Sequence, residues 1–234
     1  MTEELFREDA YLKSCEATVT AVSEAGIELD RTVFYPTGGG QPGDIGVLRT
    51  SGGDVAIIET RKGDGSSVIV HVPAEGAALP SVGDKISAEL DWDRRHKHMR
   101  MHTAMHLLCS LVEGDVTGGQ VGEAKSRLDF NIPESPDKEI LGAALMKAVN
   151  EDRPVTSTWI SDAELDAQPD LVRTMSVQPP RGSGRIRIID IQGVDVQPCG
   201  GTHVKSTGEI GSLRIGKIEN KGKQNRRINI LFDQ

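Results

Sequence analysis

Two pairs of metal-type side chains, widely separated in the chain, constrain its fold more than any other feature. His102 and His106 stand four apart, and Cys199 and His203 stand four apart more than ninety residues later. The first pair lies in a segment, Arg95 to Glu113, where Met101, Met105, Leu108 and Val112 recur at helical spacing and Gly114 marks a stop. On a helix, residues four apart differ by roughly 40° around the axis, so both imidazoles leave one face, one turn apart. Alone, such a pair also reads as two partly buried helix histidines. The second pair follows a predicted strand, in Gln197-Pro198-Cys199-Gly200-Gly201-Thr202-His203, where the glycines suit a tight turn that lets backbone approach a ligand. Three imidazoles and a thiolate suit borderline-soft Zn2+. Any fold that uses them must bring the late turn back to the helix.

Other donors compete. His98 and Cys109 share the helix face of His102 and His106, within about 80°, and one straight helix cannot wrap a tetrahedron. Cys109 therefore reads as a small core residue, and Cys15 and His71, without a partner pattern, as structural. Four protein ligands would make a closed, structural zinc site, whereas a catalytic zinc keeps a position open. The sequence leaves both open.

The predicted fold class is α+β in two domains, residues 1–90 and 91–234. The first is a small β-barrel-like unit. Thr18 to Val22 alternate, Glu24-Ala25-Gly26 turn into Ile27 to Leu29, and Asp54 to Glu59 with Ser67 to Val72 form a hairpin around Gly63-Asp64-Gly65. Lys85 to Asp91 places Ile86, Ala88 and Leu90 at period two. The second unit, an antiparallel sheet with helices, holds the His102/His106 helix and a strand from Ser126 to Ile132. A second helix is capped by Ser135, has Pro136 in its first turn, and buries Ile140, Leu141, Ala144, Leu145 and Ala148. Ser161 and Glu164 make a capping box for a third, shorter helix. Strands follow at Arg185 to Ile191, Ile210 to Ile218 and Arg227 to Phe232.

Thr37-Gly38-Gly39-Gly40-Gln41 lies between Pro36 and Pro42, a run that excludes regular strand or helix. It reads either as a plain turn or as backbone that offers N–H donors to a ligand. No Gly-Lys-Ser/Thr follows, so it is not a nucleotide-binding phosphate loop. Aromatics are 3% of the chain, too few for a base-stacking platform. The net charge of −8 disfavours indiscriminate nucleic-acid binding. The stretch from Arg214 onward runs the other way, with six Lys/Arg against Glu219 and Asp233. No apolar run is long enough for a membrane span and the N-terminus lacks a signal-peptide pattern, so the expectation is a cytoplasmic protein with no membrane association. Three cysteines argue against a disulfide framework.

The segments Asp30-Arg31-Thr32-Val33-Phe34-Tyr35-Pro36-Thr37-Gly38-Gly39-Gly40-Gln41-Pro42-Gly43-Asp44, Arg100-Met101-His102-Thr103-Ala104-Met105-His106-Leu107-Leu108 and Cys199-Gly200-Gly201-Thr202-His203, with the ending Lys221 to Ile228, resemble the freestanding alanyl-tRNA editing (AlaX) family and the editing domain of alanyl-tRNA synthetase. The resemblance covers nearly the whole chain in order, and its length matches the medium-sized members, without a further C-terminal tRNA-binding domain. It implies zinc at His102, His106, Cys199 and His203, and discrimination of serine from alanine by Thr32. Gln41 would be a polar pocket contact and Gly38, Gly39 and Gly40 a pocket wall. The implied reaction is hydrolysis of the ester joining serine, and by extension glycine, to the acceptor end of tRNA(Ala), with no obligate protein partner. Zinc would either lower the pKa of a water or hold the substrate's α-amino group; four candidate ligands leave little room for hydroxide, which favours the second. Arg226 and Arg227 would meet acceptor-stem phosphates, with a solvated strand end as the alternative.

Three rivals have different signatures. A zinc peptidase would carry Glu after the first histidine, where this chain has Thr103. A zinc-stapled RNA-binding module would grip tRNA without hydrolysing it. Editing of a different mischarged tRNA, of the threonyl type, would lack the glycine loop.

Overall fold

The computed structural model describes residues 2–65, 68–172 and 184–233. The fold is α+β, and the chain divides into two compact units, Met1–His96 and Lys97–Gln234. The division falls inside a helix, a few residues past the break in composition near residue 90.

Unit 1 is built from β1 (Glu3–Glu4), β2 (Ser14–Ser23), β3 (Gly26–Leu29), β4 (Arg31–Thr32), β5 (Gly46–Thr50), β6 (Gly53–Lys62), β7 (Ile69–Pro73) and β8 (Lys85–Leu90). Six of these close a barrel in the order β2-β3-β7-β6-β5-β8. Closure follows from the alternation. Ala17 pairs Ile86, Val19 pairs Leu29, and Leu48 faces Val55 on one side and Ala88 on the other. All seven are buried in one cluster with Phe34 and Ile57, each large aliphatic worth about 1.5–3 kcal/mol of burial. Ser67, where the sequence pattern starts the return strand, lies outside the described residues; β7 runs from Ile69.

Between β4 and β5 the chain has no regular structure but is fixed at both ends. The Asp44 carboxylate accepts the Tyr35 N–H at 2.6 Å and the buried Arg95 guanidinium, which also donates to the Val33 and Ala10 carbonyls. At its tip, Gly38 and Gln41 exchange backbone hydrogen bonds (3.1 and 2.9 Å) around Gly39 and Gly40, whose φ angles are +56° and +79°. Two consecutive positive φ values are what a type I′ turn requires, and glycine adopts them without steric cost. The N–H groups of Gly38 and Gln41 are thus consumed within the turn.

Unit 2 begins within α1 (Trp92–Leu111) and continues through β9 (Asp115–Gln120), β10 (Lys125–Asn131), α2 (Lys138–Asn150), β11 (Val155–Ile160), α3 (Asp162–Asp166), β12 (Ile186–Ile191), β13 (Asp195–Pro198), β14 (Leu213–Gly222) and β15 (Asn225–Phe232). β14-β15-β10-β9 form one antiparallel sheet and β11-β12-β13 another. From Met101 to Cys109 every residue of α1 is buried, so the helix is enclosed all round rather than along the Met101-Met105-Leu108 stripe alone.

Two elements differ from the sequence expectation. The cap of α2 is Asp137, not Ser135: its carboxylate accepts the N–H groups of Glu139 and Ile140, both at 2.9 Å, and Pro136 stays outside the helix. Its buried face is Leu141, Leu145, Ala148 and Val149, and Ile140, one position ahead of that stripe, is 72% exposed. The residues before β14 form a short 3₁₀ turn, Thr207–Ile210, ended by Gly211 at φ +73°, so the strand starts at Leu213. The Ser161–Glu164 capping box on α3 is present in both of its hydrogen bonds.

Candidate metal centre

α1 presents His102 and His106 from successive turns, and the other two donors come from the chain leaving the β12–β13 hairpin. Cys199 N–H donates to the Arg187 carbonyl at 3.0 Å, carrying the ladder one residue past Pro198. The Arg187 guanidinium then donates to the carbonyls of Gly201 (2.7 Å) and Cys199 (3.3 Å), which folds the Cys-Gly-Gly turn back on its own strand. The result is one donor each from His102, His106, Cys199 and His203, all within 4.8 Å of one another. Cys199 Sγ lies 3.5 Å from His102 Nε2 and 3.3 Å from His203 Nε2. Tetrahedral zinc with bonds of about 2.0–2.3 Å separates its donors by roughly 3.3–3.8 Å, so the two spacings from the sulfur fit that ion.

The supporting hydrogen bonds fix how the rings face. Thr103 Oγ1 donates to the Met99 carbonyl at 3.0 Å, since a carbonyl can only accept; it therefore accepts His203 Nδ1–H at 3.1 Å and Val204 N–H at 3.3 Å. His106 Nδ1–H donates to Asp195 Oδ2 at 3.0 Å, and Gln197 Nε2 holds the same oxygen at 2.6 Å. Both rings thus carry their proton on the outer nitrogen and turn Nε2 inward, as metal-ligating histidines do. Burial disfavours charge on His106, but Asp195 and the Cys199 sulfur outweigh it and hold the imidazole up to about 10, so without a metal its Nε2 carries a second proton that a bound cation would displace. Burial also opposes a thiolate at Cys199, yet the facing His102 holds its pKa well below the usual thiol value. His203, buried and flanked by His102, is pushed down to about 3 despite the nearby sulfur. An anionic sulfur beside a neutral Nε2 is a ready donor set for a soft divalent cation.

His98 and Cys109 are buried along α1 and stand outside this group, and Cys15 is a half-buried free thiol in unit 1. Sequence reasoning missed Thr103, Arg187, Asp195 and Gln197 as supports. For two of them the sequence alternation points the wrong way. In β13, Asp195 and Gln197 are buried while Val196 between them is 42% exposed, an inverted alternation that marks polar residues turned inward for a purpose.

The remaining sequence candidates belong to unit 1 and to β15. Thr32 and Gln41 are fully buried in unit 1. The Thr32 hydroxyl accepts the Phe34 N–H at 3.0 Å and meets His71 Nε2 at 2.8 Å, while His71 Nδ1–H donates to the Ile27 carbonyl at 3.1 Å. His71 is therefore neutral, with Nε2 accepting the Thr32 proton, and burial pushes its pKa down to about 4. Arg226 and Arg227 find partners inside the protein. Arg226 donates to Asn220 and to the carbonyls of Gly222, Asn225 and Pro133, and Arg227 makes a two-point bridge to Asp129, 2.8 Å at each contact.

Comparison with known proteins agrees with this layout. Residues 186–229 match the family model described as the threonyl and alanyl tRNA synthetase second additional domain, and residues 7–94 match that of class II (A) tRNA synthetases. The chain is 40% identical to the alanyl-tRNA editing protein AlaX-M of Methanosarcina mazei, over 100% of this chain and 98% of that protein. With AlaX-M of Methanosarcina acetivorans it is 37% identical, over 97% and 98% of the two chains. The alanine–tRNA ligase of Pyrobaculum neutrophilum is 37% identical over 93% of this chain, which spans only 25% of that enzyme. Full-length identity at this level, with both metal-type pairs converging in three dimensions, makes the chain a member of the alanyl-tRNA editing protein family.

Proposed function

We propose that this protein is a trans-editing deacylase that hydrolyses the aminoacyl ester of mischarged tRNA(Ala), with Ser-tRNA(Ala) as principal substrate and Gly-tRNA(Ala) as a second. The observation that carries the reading is the convergence of His102, His106, Cys199 and His203 within 4.8 Å, in a full-length relative of editing proteins. Their donor chemistry fits Zn2+, which when bound would supply a positive centre able to anchor the substrate's amino group or polarise its ester. The protein's own residues do the rest of the positioning. Asp195 and Thr103 hold two imidazoles in the tautomer that faces inward, and Arg187 holds the turn that carries the sulfur. An aminoacyl ester is already activated, so the site has no need of a strong protein nucleophile.

The test is direct. Cys199→Ala should lose bound zinc, read by elemental mass spectrometry, together with deacylation of Ser-tRNA(Ala); undiminished hydrolysis by the zinc-free variant overturns the assignment. Ser-, Gly- and Ala-tRNA(Ala), with and without chelator, then define the substrate range. Four protein donors also make the closed shell of a structural zinc, which favours as second reading an RNA-binding module that the ion merely staples. Absence of deacylation by a zinc-replete protein that binds tRNA would establish that one.

Selection of serine by Thr32 belongs to the same proposal. With its proton committed to His71, the hydroxyl keeps one lone pair that could accept from a serine side chain, and complete burial makes its contact with Phe34 N–H and His71 an anchor for the loop as well. Thr32→Val should narrow the preference for Ser- over Ala-tRNA(Ala) by about tenfold, the cost of one lost buried hydrogen bond. An unchanged ratio reduces Thr32 to a loop anchor, and the same comparison on Gln41→Ala tests Gln41 as a pocket contact beside the Gly38-Gly39-Gly40 turn.

A further inference from the structure

The alternation of the four-stranded sheet in unit 2 sorts its side chains cleanly. Leu128, Phe130, Ile215, Ile228 and Ile230 face the core and are buried. The opposite face carries a groove of about 520 Å³ whose lining includes Lys125, Lys138, Arg214 and Lys217 against a single carboxylate, Glu219. Register explains why these cations gather. Leu231 on β15 is flanked by Lys125 on β10 and by Arg214 on β14, a row across three strands. An irregularity between Ile215 and Ile218 brings Lys217 to the same groove, and Lys138 opens α2 at its border.

We propose that this groove docks the phosphodiester backbone of the tRNA substrate; the inference rests on the editing reading above and extends it to a second surface. Four observations favour a polyanion of this kind. The four cations are exposed on a chain whose net charge is −8, so they form a local reversal of sign. Lys125 and Arg214 are two strand spacings apart, about 10 Å, too wide for one phosphate but suited to successive ones. The negative groups nearby are already answered. Glu219 pairs with Lys221 at 2.9 Å and accepts from Asn229, and the Arg214–Asp233 contact, at 3.2 Å between side chains 56% and 46% exposed, is a surface pair that phosphate can displace. Finally, Leu231 is the one apolar side chain in the lining, whereas a protein partner would want an apolar centre.

The experiment measures tRNA(Ala) binding by fluorescence anisotropy across a salt series, on zinc-replete protein. Wild type is compared with Lys125→Glu/Lys217→Glu, with the neutral Lys125→Gln/Lys217→Gln, and with a charge-matched control, Lys97→Glu/Lys147→Glu. Circular dichroism confirms the fold of each. The groove reversal should weaken binding by roughly tenfold or more at low salt and flatten the log Kd against log salt slope by about 2, one unit for each lost phosphate contact. The neutral pair should give a smaller shift in the same direction, and the control none. Equal loss in groove and control variants, or an unaltered slope in the groove variant, overturns the docking surface while leaving the editing reading intact. A wild-type protein that neither binds nor deacylates tRNA(Ala) overturns both.

Discussion

At the scale of single residues, the candidate metal centre is ordered by side chains that lie outside the four-donor cluster. Asp195 holds His106 and is itself held by Gln197, so Asp195→Ala should cost about 10–100-fold in zinc affinity, as loss of such partners generally does. Competition with a fluorescent zinc chelator measures it, and an unchanged affinity would show that His106 needs no orienting partner. His71 makes a different kind of prediction. Its pKa is lowered from 6.5 to about 4 because it is buried and neutral, so between those values the unfolded chain binds more protons than the native one. The stabilisation is present in full above about pH 6.5 and is lost as pH falls toward 4, a loss on the order of 3 kcal/mol. Urea midpoints for wild type and His71→Gln over pH 4–7 should differ in slope, with the variant flatter through that window. Parallel curves would mean that His71 titrates freely.

At the scale of elements, α1 is the member that unit 2 can least spare, since Leu107 and Leu108 are both fully buried beside the metal-type histidines. Leu107→Ala should destabilise by about 2–5 kcal/mol and lower metal retention with it, checked by calorimetry and zinc content on one preparation; a loss below about 1 kcal/mol would mean that the helix repacks. How far these elements were readable depends on the range of the signal. The Ser161 box, the Lys85–Asp91 alternation and the His102/His106 face are encoded by neighbours within one or two turns, and the structure has each of them. The α2 start was ambiguous because Ser135 and Asp137 are both competent caps; only the geometry shows that the Asp137 carboxylate meets two free N–H groups. Thr103 and Arg187 were invisible because their partners lie about 100 and 12–14 residues away. The partners that Arg226 and Arg227 find within the protein were hidden for the same reason, since Pro133 and Asp129 are more than ninety residues distant. Charge read along a strand gives no warning of which cations a neighbouring strand will claim.

At the scale of the whole molecule, stability and metal loading should be linked. A ligand present at a hundredfold over its Kd adds about 2.7 kcal/mol to the native state. For a chain of this length that corresponds to a Tm fall of roughly 5–10 °C on stripping zinc, visible by scanning calorimetry and reversed by readdition. An unmoved Tm would place the ion outside the folding equilibrium. No helix among the described residues is long and apolar enough to cross a membrane. The sealed six-strand ring of unit 1 has one more consequence. Because β2 is bonded to both β3 and β8, every strand of that ring has two neighbours, and no row of bare amides is left for a foreign chain to zip onto. Among the described residues the two sheets of unit 2 are open, ending at β9 and β14 and at β11 and β13. Clumping through strand exchange on heating would therefore start at such open rims, the two-stranded β1–β4 pair of unit 1 among them, and not at the ring.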